Sequence, residues 1–185
     1  MRTSAAICRW LRRATALAGA ALVVACTAST GTLATGSHRA TQRPVAAAYA
    51  CGLAVGRESG PPPGRIVLGV ISLGPDFPQS AVPVHQGWWR YRQKHGLAIR
   101  SGHQTVTITV PKAWRDRAAI TWGLNVGIVS TLRLPGCPAA PGTWNGYAGG
   151  FYLRSSSACV PLVLAVGPRS AVVRVGVGRR CGPVP

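Results

Sequence analysis

An all-β fold, an antiparallel immunoglobulin-like β-sandwich of about eight strands with two disulfides, is predicted for this chain by three features of its sequence. Short apolar stretches alternate at period two with β-branched residues, turn residues separate them, and an even number of cysteines falls within the patterned region. The abundance of Gly (23) and Pro (15) in 185 residues favours many short elements over long helices.

The patterned region does not start at the N-terminus. Arg2, Arg9, Arg12 and Arg13 precede an apolar run from Ala14 to Ala25, too short to cross a bilayer as a helix and suited to a signal-peptide core. The run ends Leu22-Val23-Val24-Ala25-Cys26, which resembles the lipobox of bacterial lipoprotein precursors. That resemblance implies that Cys26 is lipidated and becomes the new N-terminus. Val23 departs from the pattern, in which Leu is commoner there, and the rival reading is a non-lipidated secreted protein cleaved nearby. Residues 1–25 therefore read as a lipoprotein-type signal peptide, 26–48 as a flexible Ala/Thr/Ser/Gly tether, and 49–185 as the folded domain.

Within the domain the elements follow in order. Arg65 to Leu73 reads as a strand opened by Pro61-Pro62-Pro63-Gly64. Lys94 to Arg100 is expected to form a hairpin with Gln104 to Val110 across Ser101-Gly102-His103. In the second of these, Val106, Ile108 and Val110 alternate with Thr105, Thr107 and Thr109, the pattern of a half-buried strand. Ala118, Ile120, Trp122 and Leu124 share one parity in the next strand. Ile128 to Leu134 and Gly149 to Arg154 follow, and then Val160 to Val166 and Ala171 to Val177 flank the turn Gly167-Pro168-Arg169-Ser170.

Of six cysteines, Cys8 leaves with the leader and Cys26 is the lipid site. Cys51, Cys137, Cys159 and Cys181 remain, and two disulfides among them allow three connectivities. The closing hairpin brings Cys159 and Cys181 together at its open end, which favours Cys51–Cys137 as the other pair. A four-cysteine zinc site would need closely paired ligands, and the shortest spacing among these four is 22 residues.

Trp144-Asn145-Gly146-Tyr147-Ala148-Gly149-Gly150-Phe151, Cys159-Val160-Pro161-Leu162 and Val175-Gly176-Val177-Gly178-Arg179-Arg180-Cys181 carry a family resemblance. Across roughly residues 65–181 the succession is similar to a family of small extracytoplasmic proteins, mostly lipoproteins, from actinobacteria. The resemblance implies fold and location, and it transfers no catalytic residue.

Charge is the strongest functional hint. Twenty-one Lys and Arg oppose three acids, Glu58, Asp76 and Asp116, and the formal net charge is +18. Nineteen of the cations are Arg, which GC-rich coding would also favour, but coding bias does not account for so few acids. Such a surface attracts polyanions.

Enzyme chemistry finds little purchase. His38 lies in the tether, so His85, His95 and His103 would have to be served by three carboxylates. The chain has no G-x-S-x-G and no cysteine left over as a nucleophile. His95 and His103 flank the expected hairpin and read as exposed turn residues. The Gly-rich runs at 146–150 and 176–178 lead into no helix that could hold an anion and read as close contacts in strands. No cofactor, metal or nucleic acid is expected.

The most informative local feature is Trp88-Trp89-Arg90-Tyr91-Arg92-Gln93-Lys94. With Trp89 and Tyr91 turned inward, an extended segment leaves Trp88, Arg90, Arg92 and Lys94 as one row on the other face. An aromatic beside such a row can stack on a sugar while guanidinium forks hold phosphate or carboxylate. The bland alternative is that arginines stack on Trp88 and cover it. Tyr152 and Arg154 share an outward parity and are secondary candidates, while Trp114, Trp122, Trp144, Tyr147 and Phe151 read as core or edge packing.

The function expected is a non-enzymatic, membrane-tethered binding domain for anionic envelope components, lipid head groups or an acidic partner protein. Its alternatives are a cell-envelope hydrolase with an unfamiliar site and a structural or assembly lipoprotein.

Overall fold

Period-two stretches become strands where each face of the alternation finds cover. In the computed structural model, which describes residues 47–48, 50–102 and 104–182, the only helical elements are two 3-10 turns, Cys51–Leu53 and Lys112–Trp114. The rest is strand and turn, so the all-β expectation holds, and the strands lie antiparallel apart from one short parallel pair.

Three hydrogen-bonded sheets form. The first takes β1 (Ala47–Ala48), β8 (Val106–Thr109), β10 (Thr131–Leu134), β13 (Ala158–Val166) and β14 (Arg169–Val177), in the order β1-β10-β8-β13-β14. A second sheet has the order β2-β11-β7-β4-β3, from β2 (Gly56–Glu58), β3 (Arg65–Val67), β4 (Ile71–Leu73), β7 (Leu97–Arg100) and β11 (Trp144–Tyr147). The third comprises β5 (Val82–Gln86), β6 (Trp89–Lys94), β12 (Gly149–Leu153) and β9 (Ala118–Trp122), ordered β5-β6-β12-β9.

These strands are shorter and more numerous than the expected eight. The reason is visible at Arg65 to Leu73, which is a tight hairpin of β3 on β4 and not one strand. Leu68 (φ 53°) and Gly69 (φ 75°) both take left-handed backbone in the three-residue connection, where Val70 N–H bonds the Val67 carbonyl at 3.3 Å. An apolar residue at a turn position gives no turn signal.

A second expectation is overturned. Leu97–Arg100 does not pair with Val106–Thr109; β7 lies between β4 and β11, whereas β8 lies between β10 and β13. The Ser101-Gly102 link crosses between sheets, and its backbone is satisfied elsewhere. Ser101 N–H donates to the Thr143 carbonyl (2.8 Å) and Gly102 N–H to that of Cys137 (3.3 Å). Leu124 is likewise exposed, because β9 ends at Trp122 and the chain turns at Gly123.

The alternation at 106–110 is realised, with Val106, Ile108 and Val110 buried and Thr107 and Thr109 half-buried. The closing hairpin also forms, pairing Ala158 with Val177 through to Val166 with Arg169. One main core draws on all three sheets, among them Ile108 and Leu164, Ile71 and Ile99, and Trp122 and Phe151. Each fully buried aliphatic side chain there contributes roughly 1.5–3 kcal/mol.

Both disulfides have the favoured connectivity, Cys51–Cys137 and Cys159–Cys181, with Cα separations of 5.4 and 5.6 Å. They consume all four domain cysteines and fit an oxidising compartment. Among the described residues no helix is long and apolar enough to cross a membrane. Cys26 lies outside the described residues.

Candidate functional site

The hairpin of β5 and β6 turns at Gly87-Trp88, which places Trp88 at the tip and not in the strand. Its ring is half exposed (49%) and its indole N–H donates to the Asp116 carbonyl at 3.3 Å. The Arg154 guanidinium carbon lies 3.8 Å from the ring centroid, and Arg154 Nη1 donates to the Trp88 carbonyl at 2.5 Å. An arginine stacked on this face leaves it closed to a sugar, in an exposed cation–π contact worth about 0.5–1 kcal/mol. Sequence parity alone could not bring this pair together, since 66 residues separate its members.

The predicted cationic row is interrupted. Arg90 and Lys94 are exposed, but Arg92 is half-buried with its guanidinium carbon 5.7 Å from the centre of the Tyr152 ring. The Nε of Arg92 is buried without a hydrogen-bond partner. Tyr152 does face away from Phe151 and Leu153, but it is buried and not a surface residue. Trp89 and Ala119 cover it in a small second cluster, with Val84 and Ile128 packed against them. Trp89 and Tyr91 thus enter two different clusters, because Tyr91 packs on the main core.

Histidine placement also differs from expectation. His95 is buried (2%) and not an exposed turn residue, lying edge-on to Phe77 and Phe151 with centroids 5.9 and 5.4 Å away. Its Nδ1 bonds the Gly96 carbonyl at 3.1 Å and its Nε2 has no hydrogen-bond partner. Burial holds its pKa below the ordinary imidazole value; the Gly96 and Pro75 carbonyls and the Asp76 carboxylate oppose this, and Arg65 adds to it. Asp76 itself is engaged with backbone, its Oδ1 accepting from Gly176 N–H at 2.8 Å. His85 is exposed on β5 and His103 lies outside the described residues. Neither His85 nor His95 hydrogen-bonds a carboxylate or a serine among the described residues.

A concavity of about 880 Å³ adjoins this tip and shares Arg154 with it. The Lys112–Trp114 turn supplies Trp114, the turn that follows supplies Arg117, and the β12–β13 loop supplies Arg154, Ser155 and Ser157. Cys159 and Pro161 of β13, Arg174 of β14 and Arg179 beyond it complete the wall. Arg154 N–H bonds the Arg117 carbonyl at 3.0 Å, which sets these two residues opposite each other where the β9–β12 ladder ends. Arg174 is the ladder partner of Pro161.

Among the described residues four arginines line this groove and no carboxylate does. Asp116 sits next to it, 3.9 Å from Arg117 with both side chains about two-thirds exposed, a contact worth less than about 1 kcal/mol. No other ion pair occurs among the described residues. Arg174 and Arg179 therefore present unneutralised guanidinium groups. Arg117, Arg174, Arg179 and Trp114 carry no local sequence signature as a site, because they come from two segments far apart in the chain. Trp114 is half-buried against the core, as its packing role predicts, and lines the groove besides.

No protein-family model matches this chain, and no curated protein or solved structure shows significant similarity to it.

Proposed function

We propose that this is a non-enzymatic binding domain that engages anionic cell-envelope material through the arginine groove. It is exported and held at the outer face of the cytoplasmic membrane by a lipid on Cys26, as the leader and the lipobox-like Leu22–Cys26 segment imply. The observation that carries the reading is the groove of about 880 Å³ with Arg117, Arg154, Arg174 and Arg179 in its wall and no carboxylate among the described residues that line it. Arginine suits such a role because its planar, weakly hydrated fork matches phosphate and carboxylate bidentately. The net charge of +18 adds a long-range attraction that raises the encounter rate with any polyanion.

The test is binding of the purified, disulfide-bonded protein to anionic cell-wall polymer, anionic vesicles and an acidic polypeptide as ionic strength is raised. Binding to the polymer should weaken at least about tenfold between about 50 and about 300 mM salt, as the screening length shortens. Exchanging Arg174 and Arg179 for Gln should weaken it at every salt concentration. Absence of binding to any of these probes at low salt rejects the reading.

A further inference from the structure

We infer that the ligand of the arginine groove is a glycan carrying an anionic group on its sugar units, an inference that rests on the polyanion-binding reading above. Charge alone would serve any polyanion equally. The groove adds something that charge does not require, a rigid apolar wall interleaved with its cations: Trp114, Pro111 and Pro161.

Trp114 is positioned for this role by its own turn. Pro111 precedes the 3-10 turn Lys112–Trp114, and Trp114 N–H bonds the Pro111 carbonyl at 2.8 Å. One part of the indole packs on the main core and another remains open in the groove. Arg117 approaches this ring at 5.7 Å, farther than Arg154 stands from Trp88 (3.8 Å), so the Trp114 face is less closely covered. Pro161 is a second flat, rigid surface, with Arg174 beside it across the ladder. An apolar face next to a guanidinium therefore occurs twice, at Trp114–Arg117 and at Pro161–Arg174. A pyranose bearing a phosphate or carboxylate presents the same two features, a C–H face and an oxyanion, in every unit.

The polar lining agrees. Ser155 Oγ donates to the Ser157 carbonyl at 2.8 Å, whereas the Ser157 hydroxyl is exposed with no protein partner among the described residues. It is free to bond a sugar hydroxyl. A flexible acidic peptide or a polyphosphate chain has no ring to place on Trp114. A bilayer surface would meet the rim of the groove and leave its wall empty.

The experiment compares two probes with the same anion and the same number of charges on the purified, disulfide-bonded protein: hexagalacturonate, which has rings, and hexaglutamate with blocked termini, which has none. A stacked ring should make the first bind about five- to tenfold more tightly. Trp114→Leu keeps apolar volume against the core without a planar face and should erase that difference; Trp114→Phe should restore most of it. Arg174→Gln with Arg179→Gln should weaken both probes by the same factor.

Equal affinity of the two probes for the unaltered protein overturns the glycan assignment while leaving the polyanion reading intact, and so does a ring preference that survives Trp114→Leu. Vesicles rich in phosphatidylglycerol that bind more tightly than either probe would assign the groove to lipid. If no probe binds at low salt, both readings fall together. The comparison on the unaltered protein decides the matter even if Trp114→Leu fails to fold.

Discussion

At the β5–β6 tip Arg154 lies on the Trp88 ring at 3.8 Å and bonds its carbonyl, and nearby Arg92 turns in over Tyr152. In the groove Arg174 and Arg179 meet neither a carboxylate nor an aromatic ring among the described residues. Both regions mix tryptophan with arginine, and they use the mixture in opposite ways. At the tip the cations are consumed inside the molecule, where they cover aromatic surface that would otherwise face water. The groove shares Arg154 with the tip but keeps Arg174 and Arg179 for something outside. Composition cannot distinguish the two cases, since each contributes equally to a charge of +18.

Experiments can break this comparison, and the largest effects come from the covalent frame beneath both regions. Replacing Cys51 and Cys137 by Ser opens a link across 86 residues and should cost about 4–5 kcal/mol; the same change at Cys159 and Cys181, across 22 residues, should cost about 3 kcal/mol. Urea unfolding monitored by circular dichroism measures both. Only the second variant should also weaken polyanion binding under conditions where it stays folded, because Cys159 lines the groove. Equal loss of binding in the two variants would mean that groove and frame are not separable.

Next in size is Gly150→Ala in β12. A Cβ there would stand 1.9 Å from the Gln93 carbonyl oxygen, on a backbone at φ 147° that other residues avoid. The third sheet must shift to admit it, at a cost of about 3 kcal/mol or more, read as a fall in thermal midpoint. Normal stability of this variant would show that β6 and β12 are less closely apposed than described.

Arg154→Gln should cost only about 1 kcal/mol, the worth of an exposed cation–π contact and a hydrogen bond. Its sharper signature is access to Trp88, read as increased acrylamide quenching of tryptophan fluorescence relative to the unaltered protein. Unchanged quenching would mean that Trp88 is not covered by Arg154, and the contrast between tip and groove would dissolve.

The smallest effect concerns pH. The folded pKa of His95 lies below the unfolded value near 6.5, so the unfolded chain takes up the proton first as pH falls. The stability contributed by neutral His95 is therefore complete above about pH 6.5 and declines as pH drops below it. Thermal midpoints between pH 7.5 and 5 should fall in the unaltered protein and fall less in His95→Phe, which keeps the edge-on contacts with Phe77 and Phe151. Groove affinity for hexaglutamate with blocked termini should stay flat between about pH 7.5 and about pH 6 in the folded protein, because neither guanidinium groups nor Glu carboxylates titrate there. A slope in affinity would implicate histidine in the site.

Much of the fold was legible where a residue's environment is set by its near neighbours. Val106, Ile108 and Val110 reveal their buried face through alternation, and Gly167-Pro168 announces the hairpin that places Cys159 near Cys181. Legibility failed where long-range pairing decided. Leu68 at φ 53° gives no turn signal, and neither β7 nor β8 encodes that its partners are β4 and β11, or β10 and β13. His95 read as a turn residue because it flanks the expected hairpin of Lys94–Arg100 with Gln104–Val110, yet Phe77 and Phe151 enclose it from elsewhere in the chain.

By itself the sequence determined the all-β class, a preference among the three cysteine pairings and an excess of arginine, because each follows from composition, period or adjacency along the chain. Tertiary structure alone decided which arginines are free. Arg154 was a candidate by parity and became the cover of Trp88, whereas Arg174 and Arg179 gave no local sign and stand unneutralised beside Trp114. The physical reason is that a guanidinium's availability depends on what lies within about 4–6 Å of it, and in a sheet protein those neighbours come from distant parts of the chain.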